Sequence, residues 1–413
     1  MNKYPPAASY FQAWLVVVLL WPVAVLNYLD RQMLSTIRSS IRTDLPSIAN
    51  DQDFGTLMSV FMWVYAILSP VGGFMADRFN RRWVVIGSLF VWSSVTWATG
   101  QAATYWQMFT FRALMGISEA FYLPAALALI ADFHKGGTRS KAVGIHQSGI
   151  YVGLALGGLG GYIAQSYSWR NCFTWFGAAG VIYAVVLVFT LKDAAAPNGE
   201  EDAKKQPVTV VDTLRALWSE PSYWILVVYF TLPAIAGWVI KNWLPTYLAD
   251  AFNLKAGPAG LSATVYIQTA SLLGVLCGGA LADRWMRSTP RGRIYASALG
   301  VFLLAPALLG LAYAWSLPAA INFMVLFGIG WGFFDCNNMP ILCQIARPEH
   351  RATGYGFMNL VSISVGAGAT VLLGWMRDHG IKFSIAFVIS AIVALLSAGL
   401  ILLVRPRSEG ELK

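Results

Sequence analysis

GGFMADRFNRR (Gly72–Arg82) and GGALADRWMR (Gly278–Arg287) are one phrase written twice. Each follows an apolar run and each closes on arginine. Asp77 and Asp283 stand 206 residues apart in a chain of 413, so the repeat divides the sequence in half. Internal repetition on that scale marks a half-molecule duplicated within one chain. The surroundings say what kind of molecule. The chain is 57% hydrophobic and 12% charged, with mean hydropathy +0.57. Soluble domains carry about 25% charged residues, so the composition points to a membrane protein.

The net charge of +9 invites a nucleic-acid reading. Its distribution argues against one, because the basic residues fall in short loops between apolar segments, the pattern of the positive-inside rule. No nucleic-acid partner is expected. Cys172, Cys277, Cys336 and Cys343 lie in or beside apolar segments without ligand spacing. They read as small core residues, with no metal and no disulfide. The apolar run Ala13–Leu26 is followed by Asp30 and Arg31 rather than a small-residue cleavage site, so no cleaved signal peptide is expected.

A spanning helix needs about 20 mostly apolar residues. The chain offers twelve such stretches, at 13–36, 54–77, 83–102, 105–132, 140–165, 170–191, 222–249, 259–283, 293–314, 317–345, 353–375 and 382–404. The polar run KDAAAPNGEEDAKKQPVTVVD (Lys192–Asp212) separates the sixth from the seventh. The expected architecture is an all-α polytopic membrane protein of two pseudo-symmetric six-helix bundles, 1–192 and 221–413, joined by a cytoplasmic linker, 193–220. Arg78, Arg81, Arg82, Lys135, Arg139, Lys141, Lys192, Lys204, Lys205, Arg284, Arg287, Arg291, Arg293, Arg347 and Arg351 fall on one side of these spans. Arg38, Arg42, Arg170, Arg377 and Lys382 are exceptions. The bias places both termini in the cytoplasm, with the chain in the cell (inner) membrane.

Gly-x-x-x-Asp-Arg with further arginines, after span 2 and again after span 8, resembles the signature loop of the major facilitator superfamily. The likeness extends over nearly the whole chain: twelve spans, a central linker and the motif in both halves. It implies a secondary transporter working by alternating access as the halves rock about a midplane site. Gly73 and Gly279 are then the residues that let spans 2 and 8 approach a neighbour. Asp77 and Asp283, with Arg78, Arg81 and Arg284, form a latch at the helix ends. The plainer reading is a charged turn that only sets topology; two copies at half-chain spacing favour the latch.

Ionisable residues inside a membrane are costly and point to function. Span 1 carries LNYLDRQ, in which Asn27, Asp30 and Arg31 share a helix face and Tyr28 stands beside them. Span 4 carries FRALMGISEAFYLPA, in which Arg112 and Glu119 lie two turns apart on one side. Two arginines and two carboxylates fit a wet cavity for an anion. Arginine grips carboxylate or sulfate with a planar fork, and a carboxyl in a dry pocket can carry a proton. The structural alternative is an ion pair, such as Asp30–Arg112, that braces the half.

NYLDR in span 1 with R-A-L-x-G-x-x-E-A-x-x-x-P-A in span 4 is similar to the anion:cation symporter family of sugar-acid, sialic acid and organic-anion carriers. WRNCF (Trp169–Phe173) and WLPTYL (Trp243–Leu248) add to the likeness. The resemblance implies that Arg31 and Arg112 bear on an anionic substrate and that Asp30 and Glu119 take part in proton coupling. Glu119 is the expected proton site, with Asp30 orienting the arginines. Spinster-like lipid transporters share the span 1 phrase and a related span 4, and are the nearest competing family.

Further polar residues sit within spans. His146 in AVGIHQSGIYVG is a second proton site, a substrate ligand or a satisfied interior histidine. GLALGGLGG (Gly153–Gly161) reads as a close-packing glycine face. Lys241, in GWVIKNWLPTYL, either snorkels or contacts a second acidic group. GWGFFDCNNMP brings Asp335, Asn337 and Asn338 into an apolar span; Asp335 is a further proton site and the amides suit hydroxyls. Gln268 is assigned to substrate binding, with Tyr65, Tyr122, Tyr266 and Asn359 as possible lining residues.

The leading expectation is a monomeric proton-coupled symporter importing an organic anion, a sugar acid or a uronate-containing acidic oligosaccharide. The runner-up is a spinster-like carrier of lysophospholipid or another amphiphile. A membrane enzyme or a sensor is disfavoured: no nucleotide loop, zinc constellation or nucleophile elbow occurs, and no soluble domain is appended. No catalytic residue and no cofactor is expected, the proton gradient supplying the drive.

Overall fold

The apolar stretches become helices because a chain in hydrocarbon must satisfy its backbone groups internally. The structure, a computed structural model, describes residues 7–134, 138–192, 215, 217–347 and 350–406. The regular elements among them are all helices. In the first half these are α1 (Ala7–Thr36), α2 (Arg38–Asp44), α3 (Asp51–Arg78), α4 (Arg81–Thr99), α5 (Tyr105–Glu119), α6 (Tyr122–Phe133), α7 (Arg139–Leu156), α8 (Leu159–Ser166) and α9 (Trp169–Thr190). The second half supplies α10 (Pro221–Phe252), α11 (Ala256–Met286), α12 (Gly292–Ala312), α13 (Leu317–Cys343), α14 (Arg351–Asp378) and α15 (Phe383–Ile401). Lys135 and the linker from 193 to 214, with Lys204 and Lys205, lie outside the described residues.

Among the described residues, eleven stretches of helix are long and apolar enough to cross a membrane. The stretch expected at 83–102 is helical as α4 but less apolar. It opens on Arg81 and Arg82, and it buries Ser88, Ser93, Thr96 and Thr99 against its neighbours. Side chains close the helix ends: Asn80, Thr104, Ser168 and Ser316 each accept a hydrogen bond from a backbone N–H of the turn they precede.

Two spans expected to be continuous are broken. Span 4 divides into α5 and α6 directly after Glu119. Pro124 has no N–H to offer the Ala120 carbonyl, and Ser88 Oγ donates to the Ser118 carbonyl at the same point. Span 5 divides into α7 and α8 at Gly157–Gly158.

The chain forms two compact units, Met1–Ile48 with Val60–Lys204, and Ala49–Ser59 with Lys205–Lys413. In the first, α1 and α7–α8 meet along the expected glycine face. Added Cβ atoms at Gly153, Gly157 and Gly160 would strike Val25, Gln32 and Met33. In the second, Gly274, Gly328 and Gly332 bring the α11 and α13 backbones together in the same way. The head of α3 belongs to the second unit. Asp51 and Gln52 donate their backbone N–H groups to the Asp378 carboxylate at 2.9 and 2.8 Å, and Arg377 bonds both Asp51 and Asp250.

The repeated loops depart from expectation in one respect. Gly73 and Gly279 have open space where a Cβ would stand. The close approach is made one residue earlier: a Cβ at Gly72 would collide with the Ala120 carbonyl, and one at Gly278 with Phe333. Successive helical residues point about 100° apart, so of two adjacent glycines only one can face the neighbour. Arg78 and Arg284 are exposed. Arg81 pairs with Asp132 at the end of α6, and Asp283 lies 3.7 Å from Arg293 at the start of α12. The Asp77 side chain is outside the described residues. Arg82 donates to the Val188 carbonyl at the end of α9, and Arg291 to the Leu402 carbonyl after α15. Each caps carbonyls that a helix C-terminus leaves without intrahelical partners.

Candidate functional site

In the first unit, α1 and α5 bring four charged side chains into the interior. Asp30 is 1% exposed, Arg112 2% and Glu119 0%, depths at which a charge requires a specific environment. Arg31 donates from Nε to Glu119 Oε2 at 2.6 Å. It makes no other hydrogen bond among the described residues. Asp30 accepts instead from Thr96 Oγ1 of α4 at 3.2 Å. Arg112 donates to Met115 Sδ and interacts electrostatically with Glu119, Arg31 and Asp30. The ion pair here therefore differs from the Asp30–Arg112 brace: Arg31 holds Glu119.

Aromatic rings surround the arginines. The Arg31 guanidinium carbon is 4.6 Å from the Tyr28 ring centroid, 4.9 Å from Phe61 and 4.4 Å from Tyr65. Arg112 lies 4.8 Å from Phe61, so that ring serves both guanidinium groups. Ring faces attract cations without using their N–H donors. The Nη edge of Arg31 is thus available to an anion, and its side chain keeps 12% exposure.

Several buried polar atoms of the first unit make no well-formed hydrogen bond: both amide atoms of Asn27, Oδ1 of Asp30 and Oε1 of Glu119 at these charges, and Nδ1 of His146. Buried polar groups are normally satisfied, so this cluster suits a ligand, a proton or water. His146 is fully buried. Its Nε2 lies 2.8 Å from the Tyr122 hydroxyl, which donates to the Leu20 carbonyl at 3.2 Å. The Tyr122–His146 bond forms with either ring tautomer, the hydroxyl donating to Nε2 or accepting from it.

The second-unit candidates divide. Gln268, Asn337 and Asn338 are buried, and neither amide atom of Asn338 has a hydrogen-bond partner among the described residues. Asn337 donates to the Phe333 carbonyl at 2.8 Å, a bond within its own helix. Asp335 is exposed, whereas Asn337, nearly opposite it on α13, and Asn338 are buried. Tyr266 is 41% exposed. Lys241 is half-buried, with Nζ 4.9 Å from the Trp238 ring centroid and 5.3 Å from that of Trp331.

Phe61, Thr96, Trp238 and Trp331 were not among the expected site residues. Thr96 carried a weak signal, as a hydroxyl inside an apolar span. Phe61 carried one only through its four-residue spacing from Tyr65. The described residues hold no group of three His, Cys, Asp or Glu side chains able to bind a metal.

A sequence profile described as Major Facilitator Superfamily matches residues 20–371. "Protein spinster" of Drosophila melanogaster is 26% identical over 387 residues, covering 89% of this chain and 62% of the relative. The chain thus spans under two thirds of that relative's length. "Protein spinster homolog 1" of Xenopus tropicalis is 28% identical over 401 residues, covering 90% of this chain and 74% of the relative. An "MFS-type efflux pump" of Mycolicibacterium smegmatis is 27% identical over 373 residues, covering 89% and 85%. Among solved structures, a bacterial homolog to the human lysosomal transporter spinster, inward-facing and unoccupied, superposes with a TM-score of 0.80 at 20% identity. That match covers 96% of this chain and 99% of the other.

Proposed function

The chain belongs to the Major Facilitator Superfamily, and from that premise we propose a spinster-like secondary transporter whose cargo is an amphiphile bearing an acidic group, such as a lysophospholipid. That it is a multi-pass membrane transporter follows from the family match and the apolar helices. The cargo is our reading. Two of the three relatives bear the spinster name, which favours the runner-up expectation over the sugar-acid symporter.

One observation carries the proposal: Arg31 and Arg112 flank Phe61 in the interior of the first unit. Two desolvated guanidinium groups suit an acidic head, and Tyr28, Phe61 and Tyr65 suit an apolar body adjoining it. Asp30 and Glu119 supply protonatable groups beside the arginines, His146 bonds Tyr122 elsewhere in the first unit, and coupling to protons through these groups is part of the proposal. Gln268, Asn337 and Asn338 are the second unit's hydrogen-bonding contributions. Asp335 is exposed on its helix and is retained as the remaining proton candidate. The basic loops favour cytoplasmic termini, an orientation that belongs to the proposal.

Purified protein in vesicles decides the reading. Labelled lysophosphatidic acid, a neutral monoacylglycerol of equal chain length, glucuronate and an acidic disaccharide are offered in turn, with and without a proton gradient. Gradient-dependent movement of the lysophosphatidic acid is expected. Movement of glucuronate or the disaccharide in its place would restore the sugar-acid reading.

A further inference from the structure

We propose that a cavity at the end of the first unit remote from the Gly72–Arg82 loop binds a neutral polyhydroxylated group such as a sugar ring. The inference is independent of the cargo reading given above, since none of its residues belongs to the arginine cluster.

α1 ends, and α3 begins, at the far end of the unit from that loop, with the short α2 between them. Here α2 meets the end of α8 and the start of α9 around a cavity of about 450 Å³. Pockets for small ligands run from about 300 to 1,000 Å³. Ser39, Ser40, Thr43 and Asp44 line it from α2, and Tyr167 and Ser168 from the turn before α9. Hydroxyls and one carboxylate therefore dominate its wall, in a chain that is 57% hydrophobic.

The wall is held in place by bonds that spend none of these hydroxyls. Asp44 Oδ2 accepts from Trp169 Nε1 at 2.9 Å and from Arg170 Nε and Nη2 at 3.1 and 2.9 Å. Arg170 Nη1 donates to the carbonyls of Gly100 and Ala102 at 3.1 and 2.7 Å. α2 is thereby tied to α9 and to the turn between α4 and α5. Groups fixed in advance avoid the ordering cost of binding.

The unspent groups select the ligand. Among the described residues, the hydroxyls of Ser39, Ser40 and Tyr167 make no hydrogen bond, and Asp44 Oδ1 accepts none. Ser168 Oγ accepts from the Arg170 backbone N–H at 3.3 Å, which leaves its O–H to donate. Hydroxyls both donate and accept, while a carboxylate only accepts. A ligand with several hydroxyls of its own answers both. An anion needs a positive partner, but Arg170 is committed to Asp44 and the two carbonyls, and Arg38 and Arg42 do not line the cavity. A hard metal cation needs several oxygen ligands with matching charge, and Asp44, the one carboxylate in the wall, is already paired with Arg170. The Tyr167 ring is 70% exposed and meets Trp175 at 5.2 Å, edge to face. It offers an apolar surface to the C–H face of a sugar ring while its hydroxyl stays polar.

The test uses full-length protein carrying 3-fluorotyrosine in phosphatidylcholine nanodiscs, with Tyr167→Phe assigning the Tyr167 resonance. Methyl glucoside is the soluble probe and glucuronate its charged control. A monoglucosyl diacylglycerol, set against plain diacylglycerol, tests a sugar carried by a lipid. Saturable movement of the Tyr167 resonance is expected with the glucoside, and about tenfold weaker affinity for glucuronate, whose charge meets a carboxylate. Ser39→Ala combined with Ser40→Ala should weaken glucoside binding about tenfold, the loss of two hydrogen bonds. The melting temperature should hold in that variant, since neither hydroxyl bonds the protein. Arg112→Lys should leave glucoside binding unchanged.

Movement with the glucolipid but not with diacylglycerol or the free glucoside identifies a lipid headgroup as the occupant and supports the site. Equal affinity for glucuronate overturns the neutral assignment. Movement lost in Arg112→Lys places the sugar at the interior charges and overturns the site, as does movement that the paired serine substitutions leave intact. A resonance unmoved by either sugar leaves a water-filled recess and overturns the inference, whereas the lysophosphatidic acid experiment stands or falls by itself.

Discussion

Arg31 reaches from α1 to α5 and donates to Glu119 at 2.6 Å, while its sequence neighbour Asp30 turns to a threonine. The pair is enclosed: Glu119 has no exposure and Arg31 very little. Two opposite charges out of water support each other, and removing one leaves the other uncompensated.

Glu119→Ala should therefore destabilise the protein by about 3–5 kcal/mol, the range for breaking a buried pair. Arg31→Met with Glu119→Leu removes both charges and should recover much of that loss. Unfolding of the two variants and the parent in detergent checks the expectation. A double variant as unstable as Glu119→Ala would mean that the pair does not carry the effect.

Arg112 has a different task if the anion reading holds. Its guanidinium lies over Phe61, and its planar fork cannot be reproduced by an ammonium. Loss of one charge-assisted contact costs about 1.5–3 kcal/mol, or roughly 10- to 150-fold in affinity. Arg112→Ala should weaken lysophosphatidic acid binding by that factor, and Arg112→Lys should not restore it. Binding within twofold of the parent in Arg112→Ala contradicts the assignment.

The paired glycines of the repeated loop give a sharper contrast. A methyl at Gly72 meets the Ala120 carbonyl, one residue beyond Glu119, whereas at Gly73 it meets nothing. Gly73→Ala should leave the melting temperature unchanged or raise it, since alanine favours helix over glycine by about 1 kcal/mol. Gly72→Ala should lower it and reduce transport. Thermal unfolding and vesicle uptake measure both, and equal effects at the two positions would refute this packing register.

How far the sequence discloses these features depends on the kind of contact. Apolar length and a phrase repeated at Asp77 and Asp283 suffice for the helical fold, because they concern each segment alone. The break after Glu119 is foreshadowed by Pro124, but its exact place depends on Ser88, 30 residues away, bonding the Ser118 carbonyl. Helix periodicity puts Asp30 and Arg31 together with Asn27 and pairs Arg112 with Glu119 along one face. It does not say which carboxylate meets which arginine across two helices. The two indoles beside Lys241 are further from view, because Trp331 is remote from Lys241 in sequence and meets it only through packing between helices. Adjacent glycines such as Gly72 and Gly73 are equivalent until helix rotation distinguishes them.

The contacts of Glu119 and Asp30 separate two assignments of the proton-coupling role that experiment can distinguish. A carboxylate that cycles a proton must have a protonated form that breaks no essential contact. Glu119 is bonded to Arg31, so its protonation would sever a buried ion pair. Asp30 accepts from a neutral hydroxyl at Oδ2 and has no hydrogen-bond partner at Oδ1, so a proton can settle there with less disturbance. Asp30→Asn imitates the protonated side chain. It should preserve folding and lysophosphatidic acid counterflow while abolishing accumulation driven by a proton gradient. Glu119→Gln, by contrast, weakens the hold on Arg31 and should alter binding and counterflow together. Both variants go into vesicles for counterflow and gradient-driven uptake, with His146→Gln as a third arm. Undiminished concentrative uptake by Asp30→Asn would return the proton to Glu119. Loss of it only in His146→Gln would carry the proton to the Tyr122–His146 pair.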